Sequence, residues 1–365
     1  MPATPLQRII VERIQQAGPL SFADYMRMAL YEPGGGYYVT GAAKMGWEGD
    51  YYTSPDIGPI FAHCLGRQLY TMWGELGRPR PFVVLEQGAG RGNLAHMVRE
   101  WAAQERPDLH EALDYAIQDI HAGQDVIGTP DSSRGQTKPA VILSNELIDA
   151  FPVHIVEKRG RQLYEVYVDL REGQLCEVLG EPGSPEVASY LDAYQVPWRT
   201  FDDGWRAEIN LDALRWLQRA TGLLERGFIL TIDYGDKARR LYTPQRPRGT
   251  LACYFRHQMN ERPLTRPGQQ DITAHVNFSA LLAEGRRQGL HLHTFSTQRL
   301  WLERMGINEE IEYRRTHEFA AAETERASDR GQVALLRWYN LRQRVLALTD
   351  PAGMGNFQVL ILKRV

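Results

Sequence analysis

The spacing of apolar residues changes several times along the chain, and each change predicts a different element. Near the N-terminus Leu6, Ile9, Ile10 and Ile14 recur at helical spacing, so an amphipathic helix is expected where a secretory leader would show an apolar core. Ser21-Phe-Ala-Asp24 has the form of a capping box opening a helix that ends near Leu30. Phe82 to Glu86 is a short apolar run that breaks at once into glycines, the pattern of a buried parallel strand entering a tight turn. A helix is expected over 94–104, and further strands at Asp114 to Asp119, Ala140 to Leu143 and Gly227 to Asp233. Strand, helix, strand, helix is the grammar of an α/β fold with a doubly wound, Rossmann-like parallel sheet.

Residues 153–179 break that grammar. Val153–Glu157, Gln162–Val168 and Gln174–Leu179 are joined by Lys158-Arg-Gly-Arg161 and Arg171-Glu-Gly173, which predicts an inserted antiparallel β meander. A helix over 212–226 then leads back to the sheet. Residues 236–276 are rich in Pro, Gly, Arg and His with no clear period, and read as a functional loop region. Helices are expected at 278–288, 298–305 and 309–348, a strand at Leu290–Phe295, and a last strand at Phe357 to Lys363. The expected division is an N-terminal helical and loop region over 1–78 covering the site, the first half of the sheet over 79–152, and the meander with a helix over 153–204. The sheet resumes over 205–235, a substrate region fills 236–348, and the final strand lies in 349–365.

Composition narrows the function classes. The chain has 365 residues, 43% of them hydrophobic and 24% charged, with a formal net charge of -3. No whole-chain basic field points to nucleic acid. The longest apolar runs are strand-length, so membrane insertion is not expected. Cys64, Cys176 and Cys253 stand far apart with no CxxC pair; neither a disulfide framework nor a metal site is expected, and a reducing, cytoplasmic location is.

Glu86-Gln-Gly88-Ala89-Gly90-Arg-Gly92 is the sharpest motif. Glycines there allow a tight turn and close backbone approach to a ligand, and the following helix N-terminus offers free N–H groups. A dinucleotide fingerprint would need glycine at 93, where this chain has Asn93. The E-x-G-x-G-x-G spacing resembles motif I of S-adenosylmethionine (SAM) methyltransferases. Asp119 ends the second strand, where an acidic residue can hold ribose hydroxyls; a solvated surface Asp is the plain alternative.

The longer runs resemble the MidA-type family of SAM-dependent methyltransferases nearly end to end. They are Tyr25-Met26 with Leu30-Tyr31, Gly36-Tyr37-Tyr38, Gly49 to Asp56, the glycine loop, Ser144-Asn145-Glu146-Leu147-Ile148-Asp149-Ala150-Phe151-Pro152-Val153-His154, Asp233-Tyr234-Gly235, Gly249-Thr250-Leu251, Asp271-Ile272-Thr273-Ala274-His275-Val276 and Met354-Gly355. The resemblance implies a class I methyltransferase fold with added substrate elements, SAM as cofactor, and an arginine of a protein as substrate. Ala89 and Gln87 depart from the Pro and Leu common in the family.

The expected cofactor-binding set is Thr53, Ser54 and Pro55 as a cover, Glu86, Gly88, Ala89, Gly90, Gly92, Asp119 and Asn145. The expected catalytic set is Glu146, Asp149, Asp233, Tyr234 and His275. Methyl transfer needs alignment more than covalent help, and an arginine acceptor needs carboxylates to orient its planar guanidinium. Glu146 and Asp149 follow a strand on the side where open α/β sheets bind ligands, although Asn145 and Asp149 could merely cap a turn. Tyr234 could stack or pack, and only the family run singles out His275. Arg256, Arg262 and Arg266 read as a solvated or partner-facing surface. A small-molecule methyltransferase and a non-catalytic, SAM-binding assembly factor stay open, as does a homodimer.

Overall fold

The computed structural model describes residues 4–40, 58–119, 138–256, 258–325 and 327–365. The chain begins with α1 (Pro5–Ala17), a two-residue strand β1 (Leu20–Ser21) and α2 (Phe22–Tyr31). The capping box forms: the Asp24 amide donates to Ser21 Oγ at 3.1 Å and the Ser21 hydroxyl donates to the Asp24 carboxylate at 2.7 Å. Next come α3 (Pro59–Glu75), β2 (Phe82–Gln87), α4 (Asn93–Glu105), α5 (Pro107–Ala112), β3 (Leu113–Gln118) and β4 (Val141–Asn145). The inserted meander is β5 (His154–Arg159), β6 (Gln162–Arg171) and β7 (Gln174–Gly180), followed by α6 (Pro185–Ala193), β8 (Arg206–Ile209) and α7 (Leu211–Leu223).

The chain then enters β9 (Gly227–Asp233), β10 (Gly235–Asp236), α8 (Ala238–Leu241), β11 (Ala252–Phe255), β12 (Gln258–Asn260), β13 (Asp271–Thr273) and β14 (Val276–Asn277). It closes with α9 (Phe278–Arg287), β15 (His291–Thr297), α10 (Gln298–Arg304), α11 (Ile307–His317), α12 (Ala321–Thr324), α13 (Asp329–Thr349) and β16 (Gln358–Arg364). The single helix expected over 309–348 is therefore three. The chain turns after His317 and again after Thr324, and Ser328 caps the last helix by accepting from the Gly331 amide at 3.1 Å.

The main sheet runs β15-β16-β9-β4-β2-β3. Strands β3, β2, β4 and β9 are parallel, and β16 pairs antiparallel with both β9 and β15. Alternate strand residues feed two layers. Val141, Leu143, Phe228, Leu230 and Ile232 pack with α3, α4 and Trp301 on one face, while Ile142 and Ile229 pack with Trp216 and Leu217 of α7 and with Leu281 of α9 on the other. Burial on both faces explains why β4 and β9 read as unbroken apolar runs.

The meander lies outside that sheet, in a second one ordered β1-β6-β5-β8 with β7 on the side of β6. Strand β8, which the apolar alternation did not reveal, pairs with β5. Helices α1 and α2 pack against one face of this second sheet. On β8, Glu208 is buried and accepts from the Thr250 amide and hydroxyl at 3.0 Å and the Leu251 amide at 3.1 Å. It thereby ties the loop before β11 to the second sheet.

Among the described residues, no helix is long and apolar enough to cross a membrane.

Candidate active site

The order of the parallel strands reverses at β2, whose neighbours are β3 and β4. A crevice opens beyond the carboxyl ends of strands at such a switch point. Three segments meet there: the loop after β2, the turn after β4 and the turn after β9.

The loop after β2 is shaped by its glycines. Gly88, Gly90 and Gly92 have φ of 74°, 54° and 76°, a region that costs little only without a Cβ. A Cβ on Gly88 would also meet Leu147 Cδ1 at 2.8 Å. The Gly88 and Ala89 amides donate to the Gln118 carbonyl at 2.9 and 3.4 Å, and the Gly90 amide donates to Asp119 Oδ2 at 2.8 Å. Helix α4 then starts at Gly92 without a side-chain cap, so its first amides and the positive end of its dipole face the crevice. Glu86 is engaged elsewhere: it is 3% exposed and accepts the Tyr115 hydroxyl at 3.0 Å. Burial pushes its carboxyl up to about 8. Gln87 links Gln118 and Trp216 at 2.9 Å each, which fixes the end of β2 against α7.

The turn after β4 carries backbone strain. Glu146 has φ of 50°, a left-handed conformation that costs a non-glycine residue about 1 kcal/mol or more and tends to mark functional sites. Asp233, at the end of β9, holds the turn in place. Its Oδ2 accepts from the Leu147 and Ile148 amides at 3.2 and 2.8 Å, and its Oδ1 from the Tyr234 amide at 2.8 Å. The Asn145 amide group donates to Glu146 Oε1 at 3.1 Å, and the Tyr234 hydroxyl reaches Glu146 Oε2 at 3.5 Å.

Carboxylates accumulate around this turn. Asp149, Asp233 and Asp271 are 5%, 0% and 2% exposed. Burial, then repulsion from Asp233, Asp271 and Glu146, raises the Asp149 carboxyl well above its ordinary range. Burial pushes Asp233 up to about 7 against the pull of the amides it accepts from. Asp149 Oδ1 and Asn145 Oδ1 are buried with no hydrogen-bond donor, and neither Asp149 nor Asp233 has an ion-pair partner among the described residues. Orphaned buried acceptors are uncommon and mark this turn as a place where a hydrogen-bond donor can be received.

The structure thus brings together Gly88, Ala89, Gly90, Gly92, Asp119, Asn145, Glu146, Asp149, Asp233 and Tyr234. His275 is exposed, its amide donates to Thr250 Oγ1 at 3.0 Å, and its ring lies 6.4 Å from that of Tyr234. Thr53, Ser54 and Pro55 lie outside the described residues. Sequence reasoning left out three participants. Asp271 accepts the Tyr38 hydroxyl at 2.8 Å, and the Tyr31 hydroxyl donates to the Ala150 carbonyl at 2.8 Å, its ring stacked on Tyr38. All three stand in the family-like runs, which was the available signal. Among the described residues no group of three or more His, Cys, Asp or Glu is placed to hold a metal ion.

A pH dependence follows. Burial raises both Asp149 and Asp233 above the unfolded value of about 3.9, so what they contribute to stability is fully present below that value and is lost as pH rises through their raised values, about 7 for Asp233. Asp149→Asn should therefore gain thermal stability over the unchanged protein progressively as pH rises above about 4. A difference in melting midpoint that is constant with pH would contradict the coupling.

Residues 64–296 match the family model described as S-adenosyl-L-methionine-dependent methyltransferase. The mitochondrial protein arginine methyltransferase NDUFAF7 homolog of Drosophila melanogaster is 28% identical over 94% of this chain and 81% of its own length. NDUFAF7 of Homo sapiens, also named a mitochondrial protein arginine methyltransferase, is 27% identical over 84% of this chain and 74% of its own. A superfamily member from Burkholderia thailandensis, crystallised with S-adenosyl-homocysteine, superposes with a TM-score of 0.81 at 29% identity, covering 98% of this chain and 92% of that one. The mitochondrial names of the curated relatives overturn the expectation of a cytoplasmic location. The glycine loop, the switch-point crevice and these likenesses agree: the chain belongs to this family of S-adenosyl-L-methionine-dependent methyltransferases, with SAM as its methyl donor.

Proposed function

We propose that the enzyme methylates an arginine side chain of a protein. The observation that carries this reading is the buried Asp149 carboxylate, which has an orphaned oxygen and stands among Asp233, Asp271 and Glu146. Excess buried negative charge is costly unless a proton or a cation neutralises it. A guanidinium brings one charge and five N–H donors in a planar fork, a shape two carboxylates can orient. The names of the curated relatives support the same substrate class.

SAM supplies an electrophilic methyl on a sulfonium. The residues present fit it: the Gly88–Gly92 backbone and the uncapped start of α4 would hold its polar groups, Asp119 its ribose, and Asn145 Oδ1 one of its donors. Glu146 and Asp149 would orient the acceptor and draw its charge away from the attacking nitrogen. Tyr234 would wall the acceptor site, with His275 at its mouth. The N-terminal region, through Tyr31 and Tyr38, and the segment after β9 would supply the substrate-facing walls. Asp149 or Asp233 would take up the proton the guanidinium must release, both being raised above the ordinary carboxylate range.

The test is selective protection. With S-adenosyl-homocysteine present, acetyl-arginine amide should raise the melting midpoint saturably, by mass action, and acetyl-lysine amide should not. Equal protection by the two would count against a guanidinium site.

A further inference from the structure

We propose that a basic rim around the acceptor pocket docks an acidic segment of the substrate protein, so that the methylated arginine stands among aspartates and glutamates. The identity of the central residue rests on the arginine reading above; the rim does not.

Between residues 236 and 270 the chain carries eight Lys and Arg residues against two acidic ones, in a protein whose net charge is -3. All eight cationic residues are exposed. The two acidic side chains of the segment are already engaged, Glu261 with Arg248 at 3.1 Å and Asp236 with Arg240 at 3.9 Å. The segment therefore presents an excess of positive charge to solvent.

Its position is what gives it meaning. Strand β11 pairs with β13 so that Tyr254 lies opposite Asp271, and Tyr254 feels the charges of Asp149 and Asp271. The next residue, Phe255, carries the guanidinium groups of Arg256 and Arg266 over its ring at 5.2 and 4.5 Å. On the neighbouring loop Arg246 acts electrostatically on His275, whose ring lies 6.4 Å from that of Tyr234. The exposed cations thus flank the strands that carry Tyr254 and the buried Asp271. Stacking on Phe255 restrains two of the rim guanidiniums, and restrained arginines lose less entropy when they bind carboxylates.

Two signs in series select for one arrangement. A Lys- or Arg-rich segment is drawn by the pocket and repelled by the rim. A nucleic acid is drawn by the rim, but has no cation for the pocket and is repelled by its carboxylates. A single arginine between acidic residues satisfies both. Rim charges act mainly on association rate, salt dependence and partner choice.

The test uses the full chain with S-adenosyl-homocysteine and short fluorescent peptides. Each has one central arginine, flanked on both sides by runs of glutamate, glutamine or lysine. At low salt the glutamate peptide should bind about tenfold tighter than the glutamine peptide, with the margin shrinking as salt is added. Arg262→Glu with Arg266→Glu should remove that preference, and Arg262→Lys with Arg266→Lys should keep most of it. Equal binding of glutamate and glutamine peptides, tighter binding of the lysine peptide, or tighter binding of a single-stranded oligonucleotide would overturn the proposal. Replacing the central arginine by glutamine separates the two claims. A glutamate preference that persists with no loss of affinity keeps the rim and refutes the arginine reading.

Discussion

Glu146→Gln should slow methyl transfer by at least about a hundredfold while leaving SAM affinity within about twofold, a barrier increase near 3 kcal/mol. The substitution keeps the shape of the side chain and removes its charge. In the folded enzyme that charge sits in a left-handed turn, fixed by the Asn145 amide group at 3.1 Å and reached by the Tyr234 hydroxyl at 3.5 Å. Holding a non-glycine residue in this conformation is costly, and Asp233 offsets the cost by accepting three backbone amides of the two adjoining turns. Such placement suits a carboxylate that must align an acceptor, because small displacements there are expensive in rate. Calorimetry with SAM and single-turnover kinetics on the same sample decide the outcome. Affinity and rate falling together would assign Glu146 to the methyl donor, and full turnover would remove it from the mechanism.

Gly90→Val should abolish measurable SAM binding, and Asp119→Ala should weaken it by about 1.5–3 kcal/mol, the scale of hydrogen bonds to a charged group. Gly90 has φ of 54°, which a β-branched residue adopts only under strain. Its amide donates to Asp119 at 2.8 Å, so the loop and the end of β3 are one unit, and the alanine variant loses loop order as well as a ligand contact. Thermal melts must first show both variants folded. Unchanged SAM affinity in both would refute the assignment of this loop.

Much of this was legible in the chain. The glycine loop was visible because left-handed backbone positions leave glycines at fixed spacing. The central strands were visible because burial on both faces leaves uninterrupted apolar runs, as in Val141–Asn145 and Gly227–Asp233. Strand β8 was not, since four residues that include Arg206 and Glu208 show too little apolar period. The helix breaks near Phe319 and Glu325 were hidden by alanines and charged residues that suit a continuous helix as well as a turn. Asp271 and Tyr38 stand in the family-like runs, but nothing in the local sequence marks them as neighbours of the site. Their hydrogen bond spans 233 positions, and no local pattern records a contact made only by the packing of the N-terminal region on the loops after β9.

The claim that matters most is that a methyl group leaves SAM for an arginine of a protein. The most direct measurement adds the enzyme and methyl-labelled SAM to a lysate from cells lacking the gene, separates protein from small molecules, and hydrolyses the protein to amino acids. The account predicts label in methylated arginine, lost with Glu146→Gln. Label confined to small molecules, or to another amino acid, would contradict it.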